Sequence, residues 1–212
     1  MDIYLIRHAE PDPETVLTDR GRDQAERLAA YLRDVRITHV YCSPLARAQE
    51  TMAAVVRDRD LEPVTLEWLQ ELRGDIGVGH STWTTTGAEL EADASLAGRI
   101  EEHMDPQKAE VVRGFDTMLA DHGYAREGRA FRYVGDGDDS DVLAIFAHGG
   151  LIQTLLAGLL RLPLPGFYAA VHYRCTGITH LTMMRRRDGP PELQMLSFCA
   201  RPHLGVEGHF EV

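Results

Sequence analysis

The chain has 212 residues, of which 44% are hydrophobic and 26% are charged. This composition is that of an ordinary folded protein, and it excludes collagen-like, coiled-coil and mostly disordered chains. The formal net charge of −11 repels nucleic acid phosphates and anionic lipid headgroups, so we expect neither nucleic acid nor a membrane as a partner. An anionic ligand must therefore be held by a local cluster of positive charge.

The cysteine count and the apolar runs bear on the cellular compartment. Three cysteines, too few and too widely spaced for a disulfide framework, occur at Cys42, Cys175 and Cys199. The first apolar run, Ile3–Ile6, ends at Arg7 and is shorter than the core of a secretory signal. We therefore predict a reducing, cytoplasmic setting.

The first third of the chain alternates strand and helix patterns. Ile3–Arg7 is a short apolar run of strand formers, and a helix with apolar residues spaced three and four apart follows Val16–Arg20. A second strand is predicted at His39–Cys42. The next helix is expected to begin at Ser43-Pro44, because serine is a favoured N-cap and proline fits the first helical position. Pro63–Leu66 is a candidate third strand.

The middle of the chain, about residues 74–141, is more polar and contains two helical patterns, near Gly87–His103 and Gln107–His122. We interpret this segment as a cap or insertion within a single domain of residues 1–212. An acidic run at residues 136–141 closes it. The run lacks the spacing of a calcium-binding loop, which favours a solvated loop.

Residues 142–160 contain no charged side chain and have about the length of a membrane-spanning helix. The paired glycines after His148 argue against a span, so we predict a buried strand at Val142–Ala147, a turn, and a helix at Leu151–Leu160. Ile178–Met184 and Leu193–Phe198 are predicted to form a closing pair of strands. These patterns predict an α/β fold: a three-layer α/β/α sandwich with a mostly parallel central sheet and helices on both faces.

Basic side chains and histidines follow three of the predicted strands. Arg7-His8 ends the first strand, Arg47 lies about one turn into the helix after the second, and His148-Gly149 follows the buried strand. Open α/β sheets bind ligands at the carboxyl ends of their strands. Arginine forks and backbone N–H groups at a helix start both suit phosphate oxygens, so this edge is predicted to bind phosphate.

The sequence resembles the histidine phosphatase, or phosphoglycerate mutase-like, superfamily. The resemblance covers about residues 3–72 and 142–184 and leaves the middle segment unmatched. The motifs that carry it are Leu5-Ile6-Arg7-His8 with Glu10, Leu17-Thr18-Asp19-Arg20-Gly21 with Gln24-Ala25, Ser43-Pro44-Leu45-Ala46-Arg47-Ala48-Gln49-Glu50-Thr51, His148-Gly149-Gly150, and Thr176-Gly177-Ile178-Thr179. Several motifs in one order are far more specific than a lone Arg-His pair.

The resemblance implies roles for these residues. His8 would be the nucleophile that accepts the phosphoryl group, and Arg7, Arg47, His148 and Gly149 would hold its oxygens. Glu71 would be the general acid, acting with the catalytic His8 and His148. Residues implied at the pocket rim are Glu10, Thr15 and His80. The mechanism calls for neither a metal nor another cofactor.

Each role has a plainer alternative. His8 could be a buried core histidine, Arg47 could pair with a surface carboxylate, and Glu71 could be solvated, with Asp75 or Glu10 as the acid instead. The remaining histidines show no metal-ligand spacing, so surface or capping roles are favoured for them.

Two departures from the family pattern affect the interpretation. Ala9 stands where the family usually has glycine, which predicts a slightly tighter pocket. The middle segment lacks the paired arginines by which glycolytic mutases hold a carboxylated sugar phosphate. We therefore favour a metal-independent phosphomonoester hydrolase of a small phosphorylated metabolite. A phosphoglycerate mutase and a catalytically silent phospho-ligand-binding domain remain the alternatives, and the oligomeric state, a homodimer included, is left open.

Overall fold

The structure is a computed structural model that describes residues 1–13, 16–77, 81–136, 139–185 and 189–205. Two residues predicted at the pocket rim, Thr15 and His80, lie outside these ranges. The described residues form eight strands in one sheet, in the spatial order β3-β2-β6-β1-β7-β8-β5-β4. The strands are β1 (Asp2–Arg7), β2 (His39–Cys42), β3 (Val64–Thr65), β4 (Tyr124–Glu127), β5 (Ala130–Tyr133), β6 (Val142–Ala147), β7 (Ile178–Met184) and β8 (Glu192–Ala200).

The sheet is parallel in one half and antiparallel in the other. Strands β3, β2, β6 and β1 run parallel, whereas β1–β7, β7–β8, β8–β5 and β5–β4 pair antiparallel. The predicted mostly parallel sheet is therefore wrong, since the antiparallel pairings predominate. Strand–helix alternation predicts parallel neighbours, but the short connections of β4–β5 and β7–β8 leave room only for hairpins, which are antiparallel.

Helices cover both faces of this mixed α/β sheet. They are α1 (Asp19–Leu32), α2 (Ala46–Val56), α3 (Gly87–Ala92), α4 (Ala94–Asp121), α5 (Gly149–Leu160) and α6 (Leu164–Ala170). Successive side chains of a strand point to opposite faces. Accordingly Leu5 packs in a cluster with α4 and α5, whereas its neighbour Ile6 packs in a cluster with α1 and α2. This arrangement gives the three layers that were predicted.

The middle segment differs in detail from the prediction. In place of the two predicted helices, the structure has the short α3 and the 28-residue α4, which are separated at Asp93. Helix α4 continues through Pro106. Proline in a helix costs about 3 kcal/mol. Helix α4 buries seven side chains, four of them aliphatic or aromatic residues within its last eleven positions, and burial of such a side chain gains about 1.5–3 kcal/mol, which outweighs the proline. The division of residues 74–141 from the rest of the domain stays a prediction.

The elements that carry the phosphate motifs lie where they were predicted, with one exception. Strand β6 ends at Ala147, and His148 is the N-cap residue of α5. Ser43, however, does not cap a helix: α2 begins only at Ala46, after Leu45, which makes no side-chain cap. The Ser43 hydroxyl is instead engaged by the imidazole of His148 and the backbone N–H of Leu45.

The apolar run at residues 142–160 divides into β6 and the 12-residue α5, too short to cross a bilayer. Within the described ranges no helix is both long and apolar enough to span a membrane.

Candidate active site

Three parallel strands have their carboxyl ends at one edge of the sheet, and residues of the candidate site directly follow them. His8 directly follows β1, Ser43 follows β2 and His148 follows β6, and their parallel register places all three ends together. The imidazole rings of His8 and His148 have centroids 5.1 Å apart. The structure thus brings together histidines that lie 140 positions apart in the sequence.

The hydrogen bonds of His8 define its tautomer. The ring is buried, and its Nδ1 lies 2.7 Å from the carbonyl oxygen of Ala9, so Nδ1 must carry the proton. Nε2 accepts a hydrogen bond of 3.2 Å from Nε of Arg47 and therefore presents a lone pair. Burial, with smaller contributions from Arg7 and Arg47, lowers the pKa of His8 to about 3, although the Ala9 carbonyl opposes the shift. The imidazole is therefore neutral at physiological pH.

Arg7 and Arg47 place two guanidinium groups beside His8. Arg7 donates through Nη1 to the carbonyl oxygen of Tyr173 and lies against Gly149, where an added Cβ would come within 3.3 Å of the guanidinium. Arg47 lies in the first turn of α2, and its pKa is lowered by burial, against the opposing attraction of Glu71. The two cations supply the local positive charge that a chain of net charge −11 needs to hold an anion.

His148 is fully buried and carries an unused nitrogen. Its Nε2 lies 2.7 Å from the Ser43 hydroxyl. In the part of the chain that the structure describes, no group pairs with Nδ1 of His148 or with Nε of Arg7. Burial, followed by the charges of His8 and the arginines, lowers the pKa of His148 to about 2. A buried polar atom without a partner is costly, so these two nitrogens suit a ligand that supplies acceptors.

Glu71 lies at the amino end of α5. Its Oε1 accepts from the N–H groups of Leu72 and Leu151, both at 3.0 Å, and Oε2 accepts from Gly150 at 3.3 Å. Burial raises the pKa of the carboxyl, and these backbone donors together with Arg7 only partly oppose it. The acid form therefore persists to a higher pH than in an ordinary glutamate, as a proton donor requires.

The other carboxylates considered as acids are engaged elsewhere. Asp75 is exposed and accepts from the backbone of Gly77 in a local turn. Glu10 accepts from the hydroxyl of Thr18 and pairs with Arg20 at 3.5 Å, and its place at the pocket rim stays a prediction. Ala9 is fully buried and is not among the described non-glycine residues with positive φ, so its methyl group is accommodated without backbone strain.

Thr51 and Ser43 are supporting residues whose contacts were not predicted: Thr51 was named only as part of a motif, and Ser43 was expected to be a helix N-cap. The hydroxyl of Thr51 accepts from the N–H of Ala9 at 2.9 Å and donates to the carbonyl of Arg47 at 2.7 Å. It thereby links the loop of the nucleophile to the helix of its arginine. No sequence pattern distinguishes a threonine one helical turn after an arginine as a residue with this role.

A cavity of about 510 Å³ adjoins the residues of the candidate site. Its near wall contains Arg7, Glu71, Gly149 and Gly150, and its far walls contain Trp83 and Tyr168, whose rings meet edge to face with centroids 5.1 Å apart. The remaining lining residues are Thr84, Thr85, Gln153, Ala169, Ala170, Val171, His172 and Tyr173. Sequence analysis did not identify this cavity, because its walls come from the unmatched middle segment and from α6, which was not predicted.

This fold and this group of side chains are those of a phosphoryl-transfer enzyme. A sequence model of the histidine phosphatase superfamily (branch 1) matches residues 3–196, and the chain belongs to that family. The match confirms the resemblance that the motifs indicated.

The individual proteins to which the chain is similar share low sequence identity with it. The chain is 27% identical over 188 residues to the adenosylcobalamin/alpha-ribazole phosphatase of Salmonella typhimurium, covering 82% of this chain and 85% of that protein. It is also 27% identical over 168 residues to phosphoglycerate mutase-like protein 4 of Arabidopsis thaliana, covering 73% and 69%. The phosphoserine phosphatase of Entamoeba histolytica superimposes with a TM-score of 0.64 at 23% identity, over 96% of this chain and 98% of that one. This last likeness shows the fold.

Proposed function

We propose that the protein is a metal-independent phosphomonoester hydrolase that carries the phosphoryl group on Nε2 of His8. The observation that carries the proposal is the His8 tautomer: Nδ1 is bound to the Ala9 carbonyl, so the lone pair is on Nε2, where it accepts from Nε of Arg47 until a phosphoryl group takes that place. A neutral imidazole with its lone pair in a positively charged site can attack phosphorus.

In the first step, Nε2 of His8 attacks the phosphorus atom, the N–P bond forms and the P–O bond to the leaving group breaks. Glu71 gives its proton to the departing oxygen, which leaves as an alcohol. Arg7, Arg47 and the N–H of Gly149 stabilise the phosphoryl oxygens. The Nδ1 of His148 does the same when the Ser43 hydroxyl donates to Nε2, because that tautomer places the ring proton on Nδ1.

In the second step, water attacks the phosphohistidine. Glu71, now a carboxylate, takes a proton from the water, the N–P bond breaks and its electron pair returns to Nε2 of His8. Inorganic phosphate leaves, and both residues recover their starting protonation states. Over the whole cycle Glu71 therefore passes one proton from water to the leaving group.

The cavity favours a substrate whose leaving group is neutral. Among the described residues that line it, Arg7 is the one permanent cation, since burial lowers the pKa of His172 and keeps that ring neutral. A carboxylated substrate such as phosphoglycerate would lack a second cationic partner there. Trp83 and Tyr168 instead offer aromatic surface for a ring-bearing or apolar alcohol. This argument favours a phosphatase acting on a small phosphorylated metabolite over a mutase, and the predicted cytoplasmic setting fits such a substrate.

Trapping the intermediate tests the proposal. Brief mixing with ³²P-labelled substrate and an alkaline quench should leave an acid-labile, base-stable label on the peptide that contains His8. His8→Asn should abolish the label and turnover, whereas Arg57→Ala, a change in an exposed side chain that pairs with Glu26, should retain both. Full turnover by His8→Asn would contradict the mechanism. Transfer of the label to a second phosphoglycerate instead of water would identify a mutase.

A further inference from the structure

A second histidine cluster lies at the opposite edge of the sheet from the candidate active site. His39 is the first residue of β2, Asp141 directly precedes β6, and His122 is the C-cap residue of α4. We call these three residues the distal cluster. Seven residue steps along β6 separate Asp141 from His148, about 23 Å at the rise of about 3.3 Å per residue of a strand.

The side chains of the distal cluster converge. One potential ligand atom from each residue lies within 4.8 Å of the other two. The Nδ1 of His122 is 2.7 Å from Oδ2 of Asp141, and the Nδ1 of His39 is 3.9 Å from Oδ1 of the same carboxylate. Zinc bonds of about 2.0–2.2 Å to nitrogen and oxygen place tetrahedral donors roughly 3.3–3.5 Å apart. The cluster is therefore close to the size of a metal site.

Further contacts hold the cluster in place. The hydroxyl of Tyr41 lies 2.8 Å from Nε2 of His122, which leaves Nδ1 of that ring directed at Asp141. Such a partner on the second ring nitrogen is typical of metal-binding histidines, because it fixes the ring and its tautomer. Thr38 contacts Nδ1 of His39 at 2.9 Å and accepts from the N–H of Val142 at the same distance.

We propose that the distal cluster binds one divalent transition-metal ion of the Zn²⁺ type. Two imidazoles and one carboxylate are ligands that Zn²⁺ accepts, and three protein ligands leave a position for water. Hard ions such as Mg²⁺ prefer all-oxygen sites and are disfavoured here. The ion joins the end of α4 to the starts of β2 and β6, so its role is to stabilise the fold. Catalysis takes place at the other ends of these strands and does not involve it.

Zinc titration of the purified full-length protein tests this proposal. Calorimetry with ZnCl₂ should show one tight equivalent, and Co²⁺ should give the visible absorption of a tetrahedral site with nitrogen and oxygen ligands. His39→Ala and Asp141→Asn should each weaken this binding by more than the roughly 10–100-fold that loss of an outer partner costs. His39 is largely exposed, so its removal leaves the fold intact.

The matched control is His180→Ala. His180 also pairs with an aspartate, through Nε2 at 2.8 Å from Asp2, and within the described residues that pair is not part of a three-ligand group. This variant should bind Zn²⁺ like the wild type. One equivalent of Zn²⁺ should also raise the melting temperature of the wild type and of His180→Ala but not of His39→Ala.

Two results would overturn the proposal: no tight equivalent in the wild type, or an undiminished isotherm in His39→Ala. The second result would place any bound zinc elsewhere, for example on the histidines of the active site. Phosphatase activity should be equal in His39→Ala and the wild type, with or without a chelator. This outcome separates the distal cluster from the proposed metal-independent chemistry.

Discussion

Ser43 is placed to set which nitrogen of His148 carries a proton. The Ser43 hydroxyl already accepts from the N–H of Leu45 at 3.2 Å, and its own proton is free to be donated to Nε2 of His148. In that arrangement the buried Nδ1 is an N–H group with no other acceptor in the described structure. The hydroxyl therefore prepares a donor for the phosphoryl group without touching the substrate.

Removal of this hydroxyl should weaken catalysis modestly. Ser43→Ala leaves the tautomer of His148 unfixed, and loss of one hydrogen bond of about 1.4 kcal/mol corresponds to a roughly tenfold lower kcat/KM. Ser43→Thr keeps the hydroxyl and serves as the control. The comparison is made on p-nitrophenyl phosphate, with folding checked by circular dichroism. Equal activity of Ser43→Ala and the wild type would show that the tautomer does not depend on Ser43.

Glu71 and Arg47 should differ in their dependence on the leaving group. Glu71→Gln removes the proton donor, which should lower kcat/KM on alkyl phosphates by about 10²–10⁴-fold and spare p-nitrophenyl phosphate, whose leaving group departs without a proton. Arg47→Ala should harm both esters alike, because it removes a contact to the phosphoryl group that all substrates share.

The pH profile gives a second measurement on the same residue. Because burial raises the pKa of Glu71, the wild type should retain its acid form above the usual glutamate range and lose alkyl phosphatase activity as that form ionises at higher pH. The alkaline limb should be absent for p-nitrophenyl phosphate. Equal losses on both esters in Glu71→Gln would move the acid role to Asp75 or Glu10.

At the scale of elements, the start of helix α5 packs closely against two other segments of the site. An added Cβ at Gly150 would lie 2.4 Å from the Trp83 ring and 2.8 Å from Oε1 of Glu71, whereas one at Gly149 would meet the Arg7 guanidinium at 3.3 Å. Glycine is thus needed at position 150 for close approach, because three separate segments meet there.

Gly150→Ala should therefore displace Trp83 and Glu71 together. We expect a larger loss of kcat/KM on alkyl phosphates than on p-nitrophenyl phosphate, since the acid moves while the phosphoryl groups remain. Gly98→Ala is the control: its added methyl meets nothing within 4 Å, and it should stabilise α4 by about 0.5–1 kcal/mol without affecting activity. A Gly150→Ala enzyme with unchanged kinetics would show that the segment containing Trp83 adapts freely.

The elements predicted correctly are those whose signals are local. Strand β6 and helix α5 are an apolar run divided by paired glycines, and β7 is an apolar run whose bounds match the prediction. The hairpin β4–β5 was missed because its two strands are each four residues long, and it joins the rest of the sheet through residues far apart in sequence, such as Ala130 and Glu192, 62 positions apart. Such long-range pairing decides strand order, and no local pattern encodes it.

At the scale of the whole molecule, tertiary structure joins residues that the sequence separates. That His8, Arg47 and His148 lie close together could be predicted, because His8 and His148 directly follow strands and Arg47 lies in the first turn of a helix. The distal cluster could not, since His39, His122 and Asp141 have no shared spacing and meet only when α4 ends beside β2 and β6. The same holds for the cavity walls at Trp83 and Tyr168.

Several buried neutral histidines make the whole fold sensitive to acid. Burial is the main cause that lowers the pKa of His148 to about 2, that of His8 to about 3 and that of His203 to about 4. The ring of His203 contacts the Thr176 hydroxyl at 2.9 Å. In the unfolded chain each titrates near its usual value of about 6.5. Between these limits the unfolded chain binds more protons than the native one, so stability must fall as the pH falls.

We therefore expect the free energy of unfolding to decrease from pH 7 to pH 5, with each histidine adding at most about 1.4 kcal/mol per pH unit. Glu71, whose folded pKa is raised, opposes this with the reverse sign, because the native state holds its proton more tightly. Urea unfolding at several pH values measures the slope. His203→Gln retains a side chain that can form a hydrogen bond with Thr176. It should reduce the pH dependence of the free energy of unfolding by the contribution of one histidine. An unchanged slope in His203→Gln would show that the pKa of His203 is not lowered in the native protein.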